Sequence, residues 1–283
     1  MTRRLLTPLV ELTESDTKRV GGKATALARL LQRGYRVPET LVLPVDAYNH
    51  YVDTTGLRQT ILFEMERKAF DDMRWEELWD AALRIRNHFL RTPLPAAMKN
   101  TLTTELETFL AKEPAVVRST APDEDAAASS FAGLHESYVN VCGADSVLHH
   151  IKLVWASLWS DRALLYRQEL GLDVKASAMA VLVQHLVPST AAGVLFTRSP
   201  DDANSMTIEA VHGLNQGLVD GAVEPDRWTV KRHAPAEILS YTKAEHRKIL
   251  TAGANGTELT DIDAQKVATP PVSRKQLLQL HCM

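Results

Sequence analysis

The sequence predicts an α+β protein of two lobes, and three observations carry that expectation. The 283 residues, 45% of them hydrophobic, can fill more than one ordinary core. Apolar residues recur at helical spacing through much of the first half, interrupted by short strand-like runs. After Gly171 the texture changes to closely spaced strands. The expected division is a first lobe over 1–178, with a helical segment at 45–112, and a second over 179–283.

The elements follow in order. Apolar residues in PLVEL are followed by the polar turn ESDTKRVGGK. In ALARLLQRG, Leu27, Leu30 and Leu31 take helical spacing and Gly34 supplies the stop. VPETLVLP, 37–44, reads as a strand with prolines at both ends. In WEELWDAALRIRNHFL, Leu78, Ala82, Ile85 and Phe89 share one face, and Thr92-Pro93 breaks the helix. AVVRS and SYVNV return to strand. A single helix is expected over 144–170, with Val147, Ile151, Val154, Trp155 and Leu158 on one stripe. MAVLVQHLV, AGVLFT, MTIEAV, DRWTVKR and EILSY then read as strands. The tail from 245 is polar and weakly patterned up to a short helix near VSRKQLLQL.

Composition narrows the function. Net charge is −3, from 32 Lys+Arg against 35 Asp+Glu, with no block of one sign, which argues against a nucleic-acid or membrane-surface partner. No apolar run approaches the ~20 residues of a membrane span. The basic start MTRR lacks the apolar stretch of a signal peptide, so a cytoplasmic protein is expected. Cys142 and Cys282 form no CxxC pair, which suits a reducing compartment and argues against a thiolate metal site.

Several residues could carry chemistry, each with a plainer reading beside it. Two glycines and a lysine in GGKAT, 21–25, at a helix start suit a phosphate: glycine lets the backbone approach, and Lys23 adds charge. The plainer reading is a turn with a surface lysine. Arg118 ends an apolar strand, where a guanidinium suits a polyphosphate, or pairs with Asp123, Glu124 or Asp125. The stretch 119–136 is small and polar around Phe131 and Gly133, as a closing lid or an ordinary surface loop would be. Gln184 both donates and accepts and suits an adenine edge, or simply reaches solvent from its strand. Glu209 and Asp226 suit a metal or a sugar hydroxyl, or are surface carboxylates. His135 lies within 119–136. Hydrolase motifs are missing from the sequence.

Taken in order, GGKATALARL, VPETLVLPVDAY, VVRSTAPDEDAAASSFAGLHESYVNV, VWASLWSDRALLYR, AVLVQHLVPSTAAGVLFTRSP and IEAVHGLNQGLVDGAVEPDRW resemble the N-terminal nucleotide-binding domain of the phosphoenolpyruvate synthase and pyruvate phosphate dikinase family. Rifampin phosphotransferase is built on a similar domain. The resemblance implies an ATP-grasp-like fold, in which two α+β lobes hold ATP in a cleft. It implies phosphate contacts and catalytic roles for Lys23 and Arg118, a phosphate-side strand bearing Gly133 and Ser137, and Gln184 at the adenine. It makes 119–136 the loop over the phosphates. It also implies transfer to a histidine on a separate swivelling domain, which hands the group to an acceptor-binding domain, with Mg²⁺ assisting.

Departures from the family pattern accompany the resemblance. Gly-Gln-Gln-Glu becomes Gly133-Leu134-His135-Glu136, and Gly-Leu-Gly-Glu becomes Gly213-Leu214-Asn215-Gln216, which loses a carboxylate. The family's Asp-Ile-Glu-type metal segment and Gln-x-Arg are not found by Met283, so the second lobe reads as truncated, its Mg²⁺ ligands lie outside this sequence, and the isolated chain is expected to be inactive. The expected function is therefore the ATP-binding part of such a phosphotransferase. The alternative is a non-catalytic nucleotide-binding or regulatory module that has lost its metal ligands.

Overall fold

The strand-like runs of the first half meet in one antiparallel sheet. Its members are β1 (Thr7–Pro8), β2 (Thr40–Leu43), β3 (Ala115–Thr120), β4 (Ser137–Val141) and β5 (Ala180–His185), in the order β1-β2-β5-β3-β4. The computed structural model describes residues 4–282 apart from 112, 123–133, 246–247, 255 and 264–268. The chain divides into two compact units, 1–186 and 187–283.

Two layers of helix cover the sheet of the first unit. Leu41, Leu43, Val117, Val181 and Val183 face the larger core. That core is built with α3 (Val45–Thr54), α4 (Leu57–Met65), α5 (Trp75–Arg91), α6 (Ala96–Leu110), α7 (Ala144–Ser157) and α8 (Asp161–Glu169). Its buried aromatic groups are also satisfied as donors. Trp155 Nε1 donates to the Met179 carbonyl at 3.1 Å, and Trp159 Nε1 to Tyr48 Oη at 3.0 Å. On the opposite face, Val42 and Leu182 pack with Val20 of α1 (Thr17–Val20) and with Ala24 and Ala28 of α2 (Gly22–Gln32). Strand β5, covered on both faces, is buried from Ala180 to Gln184, which is why it reads as a nearly continuous apolar run.

In the second unit β6 (Ala191–Phe196), β7 (Ser205–His212), β8 (Asp226–Lys231) and β9 (Ile238–Thr242) pair in sequence order as a meander. The short helix α9 (Gln216–Val219) interrupts it, and β10 (Lys248–Ala252) pairs with β11 (Thr257–Asp261) as a separate hairpin. Helix α10 (Arg274–His281) starts at a capping box of Ser273 and Gln276 and buries Leu277 against Ile208, Ala210, Trp228 and Val230.

Helices and antiparallel sheets together make the protein α+β, as expected. Four details differ from the sequence reading. The helix expected over 144–170 is two, because Ser160 accepts from Ala163 N at 3.2 Å and caps a fresh start after Ser157. GGK joins two helices, α1 and α2, rather than a strand to a helix. The first unit runs on to Leu186, past the boundary expected at 178, because β5 hydrogen-bonds to both β2 and β3. The β10–β11 hairpin arises in a stretch read as unpatterned, since only Leu250 of its ten strand residues is buried. Among the described residues, no helix is long and apolar enough to cross a membrane.

Candidate functional site

Residues that face one another across an antiparallel ladder share a side of the sheet, as do residues two apart on a strand. Arg118 faces Leu182 and Ser137, Val116 faces Gln184, and Gln184 faces Thr40. Arg118, Ser137 and Gln184 therefore lie on one side of the sheet. It is the side packed by α2, on whose first turn Lys23 sits. Three residues drawn from sequence positions 118 to 184 thus share one face, and Lys23 stands on the helix packed against that side. Gly133 and Phe131 fall outside the described residues, as do Asp123, Glu124 and Asp125.

The GGK turn is pinned to the end of β3. Gly21 has φ +80°, a conformation side chains disfavour, and a Cβ built there would meet the Thr120 carbonyl oxygen at 2.5 Å. Thr120 Oγ1 donates to the Val20 carbonyl at 2.9 Å and accepts from Ala24 N at 3.3 Å. One buried hydroxyl thus spans the junction of α1 and α2. It holds the first turn of α2, where backbone N–H groups point outward and favour anions, beside the strand that bears Arg118.

The stretch 119–136 leaves and returns on paired strands, since Arg118 and Ser137 are opposite each other. Its return is anchored to α7: Glu136 N donates to Ser157 Oγ at 3.2 Å, and Ser157 Oγ donates to the Val154 carbonyl at 2.7 Å. Tyr138 Oη bonds the Glu136 carboxylate. Beside this root, the His135 ring is held neutral with its pKa brought down to about 3. Burial is the main cause, followed by the positive charges of Arg167 and Lys23. The positive charges of Lys23 and Arg167 thus both bear on the neutral ring of His135. Arg167 is buried, and its Nη1 donates to the carbonyls of Leu158 at 2.9 Å and Ala163 at 3.2 Å.

Gln184 does not simply reach solvent. It is buried, and its Nε2 donates to Thr40 Oγ1 at 2.8 Å, which in turn donates to the Pro38 carbonyl at 2.8 Å. This chain orients the amide and leaves Oε1 as its remaining acceptor. Thr40 also lines a cavity of about 700 Å³ at the β1–β2 edge, with Leu6, Leu31, Glu105 and Phe109. Lys23, Arg118 and Ser137 are not among its lining residues, so the cavity adjoins the candidate site at Thr40, the partner of Gln184, and not at the residues proposed for phosphate.

In the second unit the two carboxylates noted in the sequence do not converge. Glu209 faces Arg227 across the ladder and takes its Nε at 2.7 Å, whereas Asp226 faces Ala210 and so points to the other side. Asp226 is buried, accepting Tyr241 Oη at 2.7 Å and Ala244 N at 3.1 Å. Both carboxylates tie neighbouring strands and loops together. Gly213, with φ +82°, approaches the Leu250 carbonyl so closely that a Cβ would collide with it. That contact lets Leu214 N donate to Leu250 O at 2.8 Å. On the next two residues, Asn215 Oδ1 and Gln216 Oε1 are buried and accept no hydrogen bond among the described residues.

Sequence reasoning missed Thr120, Ser157 and Arg167. Thr120 was within reach, being two residues beyond Arg118 and so on its face. Arg167 and Ser157 look like ordinary helix residues until the fold brings them to the loop root.

Residues 17–283 match the family described as pyruvate phosphate dikinase, AMP/ATP-binding domain. A phosphoenolpyruvate synthase of Aeropyrum pernix is 37% identical over 257 residues, covering 88% of this chain and 31% of that protein. A rifampicin phosphotransferase of Streptomyces sviceus is 34% identical over 284 residues, covering 99% of this chain and 32% of that protein. One of Bacillus subtilis is 30% identical over 286 residues, covering 98% of this chain and 32% of that protein. The chain spans about a third of the length of these curated relatives.

Proposed function

We propose a function from one premise: this chain belongs to the family of pyruvate phosphate dikinase AMP/ATP-binding domains. It is an ATP-binding domain of the phosphoenolpyruvate synthase and pyruvate phosphate dikinase type. Our reading of its role is that it delivers a phosphoryl group from ATP to a histidine on a separate swivelling domain, which serves an acceptor-binding domain. Relatives named for two different products match the same stretch. That supports a shared nucleotide-handling part, with the acceptor chosen elsewhere, and it favours a phosphotransferase over a non-catalytic module.

The observation that carries this reading is the common sheet face of Arg118, Ser137 and Gln184, with Lys23 on the helix packed against that side. In the proposal the Lys23 ammonium and the Arg118 guanidinium neutralise the phosphates, and Ser137 offers a hydroxyl alongside. Gln184 Oε1 accepts from the exocyclic amine of adenine, a donor that guanine lacks at that position. Gly133 is proposed for the phosphate side on the family resemblance. The two units are read as the lobes of an ATP-grasp-like fold. ATP supplies the transferable phosphoryl group; the chain's own residues bind it, orient it and balance its charge.

Mg²⁺ finds no such support. Glu209 and Asp226 are engaged on opposite sides of their sheet, and the described residues contain no group of three or more His, Cys, Asp or Glu that could hold a metal. No step is assigned to the ion.

Calorimetric titration with ATP, AMP and GTP tests the reading. ATP and AMP should both bind, and both more tightly than GTP. Absence of adenine-nucleotide binding, or a preference for GTP, would overturn it.

A further inference from the structure

Helix α5 is apolar over more of its circumference than the fold uses. Leu78, Ala81, Ala82, Ile85 and Phe89 are buried in the first unit's core. At 100° per residue, Trp75, Trp79, Leu83, Arg86 and Leu90 occupy a neighbouring arc of roughly 80°. The four apolar members are 59%, 47%, 44% and 45% exposed, respectively. They run about 22 Å along the helix. Two half-exposed tryptophans one turn apart, continued by two leucines, form a stripe that an isolated surface helix does not need.

The charges beside the stripe are divided along its length. Glu76 and Asp80 flank the N-terminal half; Arg86 and Arg91 lie in the C-terminal half. Asp80 is bonded to Arg84 of the same helix. Glu76, Arg86 and Arg91 have no ion partner among the described residues, and Glu76 and Arg91 are exposed. Such a division complements itself when two copies run antiparallel, and opposes itself when they run parallel.

We propose that α5 is a self-association face, on which a second copy of this chain lays its own α5 antiparallel about a two-fold axis near Leu83. In that register Trp75 meets Leu90 of the other copy and Trp79 meets Arg86, an arrangement suited to indole–guanidinium stacking. Glu76 comes beside Arg91. The contact is small, near the ~1,000 Å² floor of specific interfaces, so the dimer is weak, with a dissociation constant on the order of 10 μM.

Sedimentation equilibrium of the 283-residue chain, over concentrations bracketing that value, is the test. A reversible monomer–dimer equilibrium is expected, weakened at least about tenfold by Trp79→Ala. Glu76→Arg and Arg91→Glu should each weaken it, and the two together in one chain should restore it. Both sites are on the surface, so these variants leave the core intact, and circular dichroism checks that they do. With Cys142→Ser and Cys282→Ser in place, Leu83→Cys should give a disulfide-linked dimer on oxidation. A chain that stays monomeric throughout, or a dimer indifferent to Trp79→Ala, would overturn the proposal. Failure of the charge swap to restore association would equally overturn the antiparallel register.

Discussion

Gly21 and Thr120 touch where the turn before α2 meets the end of β3. The turn has room for no side chain there, because a Cβ would lie 2.5 Å from the Thr120 carbonyl oxygen. Gly21→Ala combines that clash with a positive φ, and it should cost at least about 1–2 kcal/mol of stability. Thr120→Val strands the Val20 carbonyl and the Ala24 N–H, for a loss of about 1–3 kcal/mol. Urea midpoints measure both. Unchanged stability in Gly21→Ala would mean that the turn relaxes freely.

Lys23→Ala and Arg118→Ala should each weaken ATP more than AMP, since both are assigned to the phosphates. A lost charge-assisted contact is worth about 1.5–3 kcal/mol, or roughly tenfold or more in affinity. Calorimetry with both nucleotides separates the cases. Equal losses for ATP and AMP would place these side chains away from the phosphates.

His135 makes stability depend on pH. Its folded pKa of about 3 lies below the ordinary value of 6.5, so the unfolded chain binds the extra proton. The contribution is whole above about pH 6.5 and drains as pH falls toward 3, at up to about 1.4 kcal/mol per pH unit. His135→Gln should flatten the stability profile between pH 6.5 and 5, a window above the ordinary carboxylate range. Parallel profiles for the two proteins would show that the ring is not kept neutral by the fold.

Asp226→Ala should act on folding rather than on nucleotides. It removes charge-assisted bonds to Tyr241 Oη and Ala244 N, each worth about 1.5–3 kcal/mol. Thermal unfolding should register the loss while ATP affinity per folded molecule stays constant. A selective loss of ATP binding would return Asp226 to the site.

Much of this was legible from local pattern, and the rest was not, for identifiable reasons. Leu78, Ala82, Ile85 and Phe89 announce the buried side of α5 by spacing alone, and all four are buried. The exposed tryptophans of the same helix follow no rule that separates a surface helix from a docking one. Lys23, Arg118 and Gln184 were weak signals singly, and it takes a sheet whose strands come from distant parts of the chain to put Arg118 and Gln184 on one face, under the helix that bears Lys23. Thr40 bonding Gln184, 144 residues away, has no local trace at all. The break after Ser157 was hidden because Val154, Trp155 and Leu158 keep their apolar stripe up to the new cap at Ser160.

The placement of β5 has a consequence for how the chain comes off the ribosome. It is the last strand of its sheet to be made and the middle one in space, wedged between β2 and β3. Until residue 185 clears the exit tunnel, β1–β2 and β3–β4 are two loose ribbons, each with an apolar edge awaiting the same partner. Closing them requires contacts across most of the unit's length, which slows folding, and the unfinished edges are open to other chains in the meantime. The first unit therefore has no closed sheet until its final strand is in place between β2 and β3.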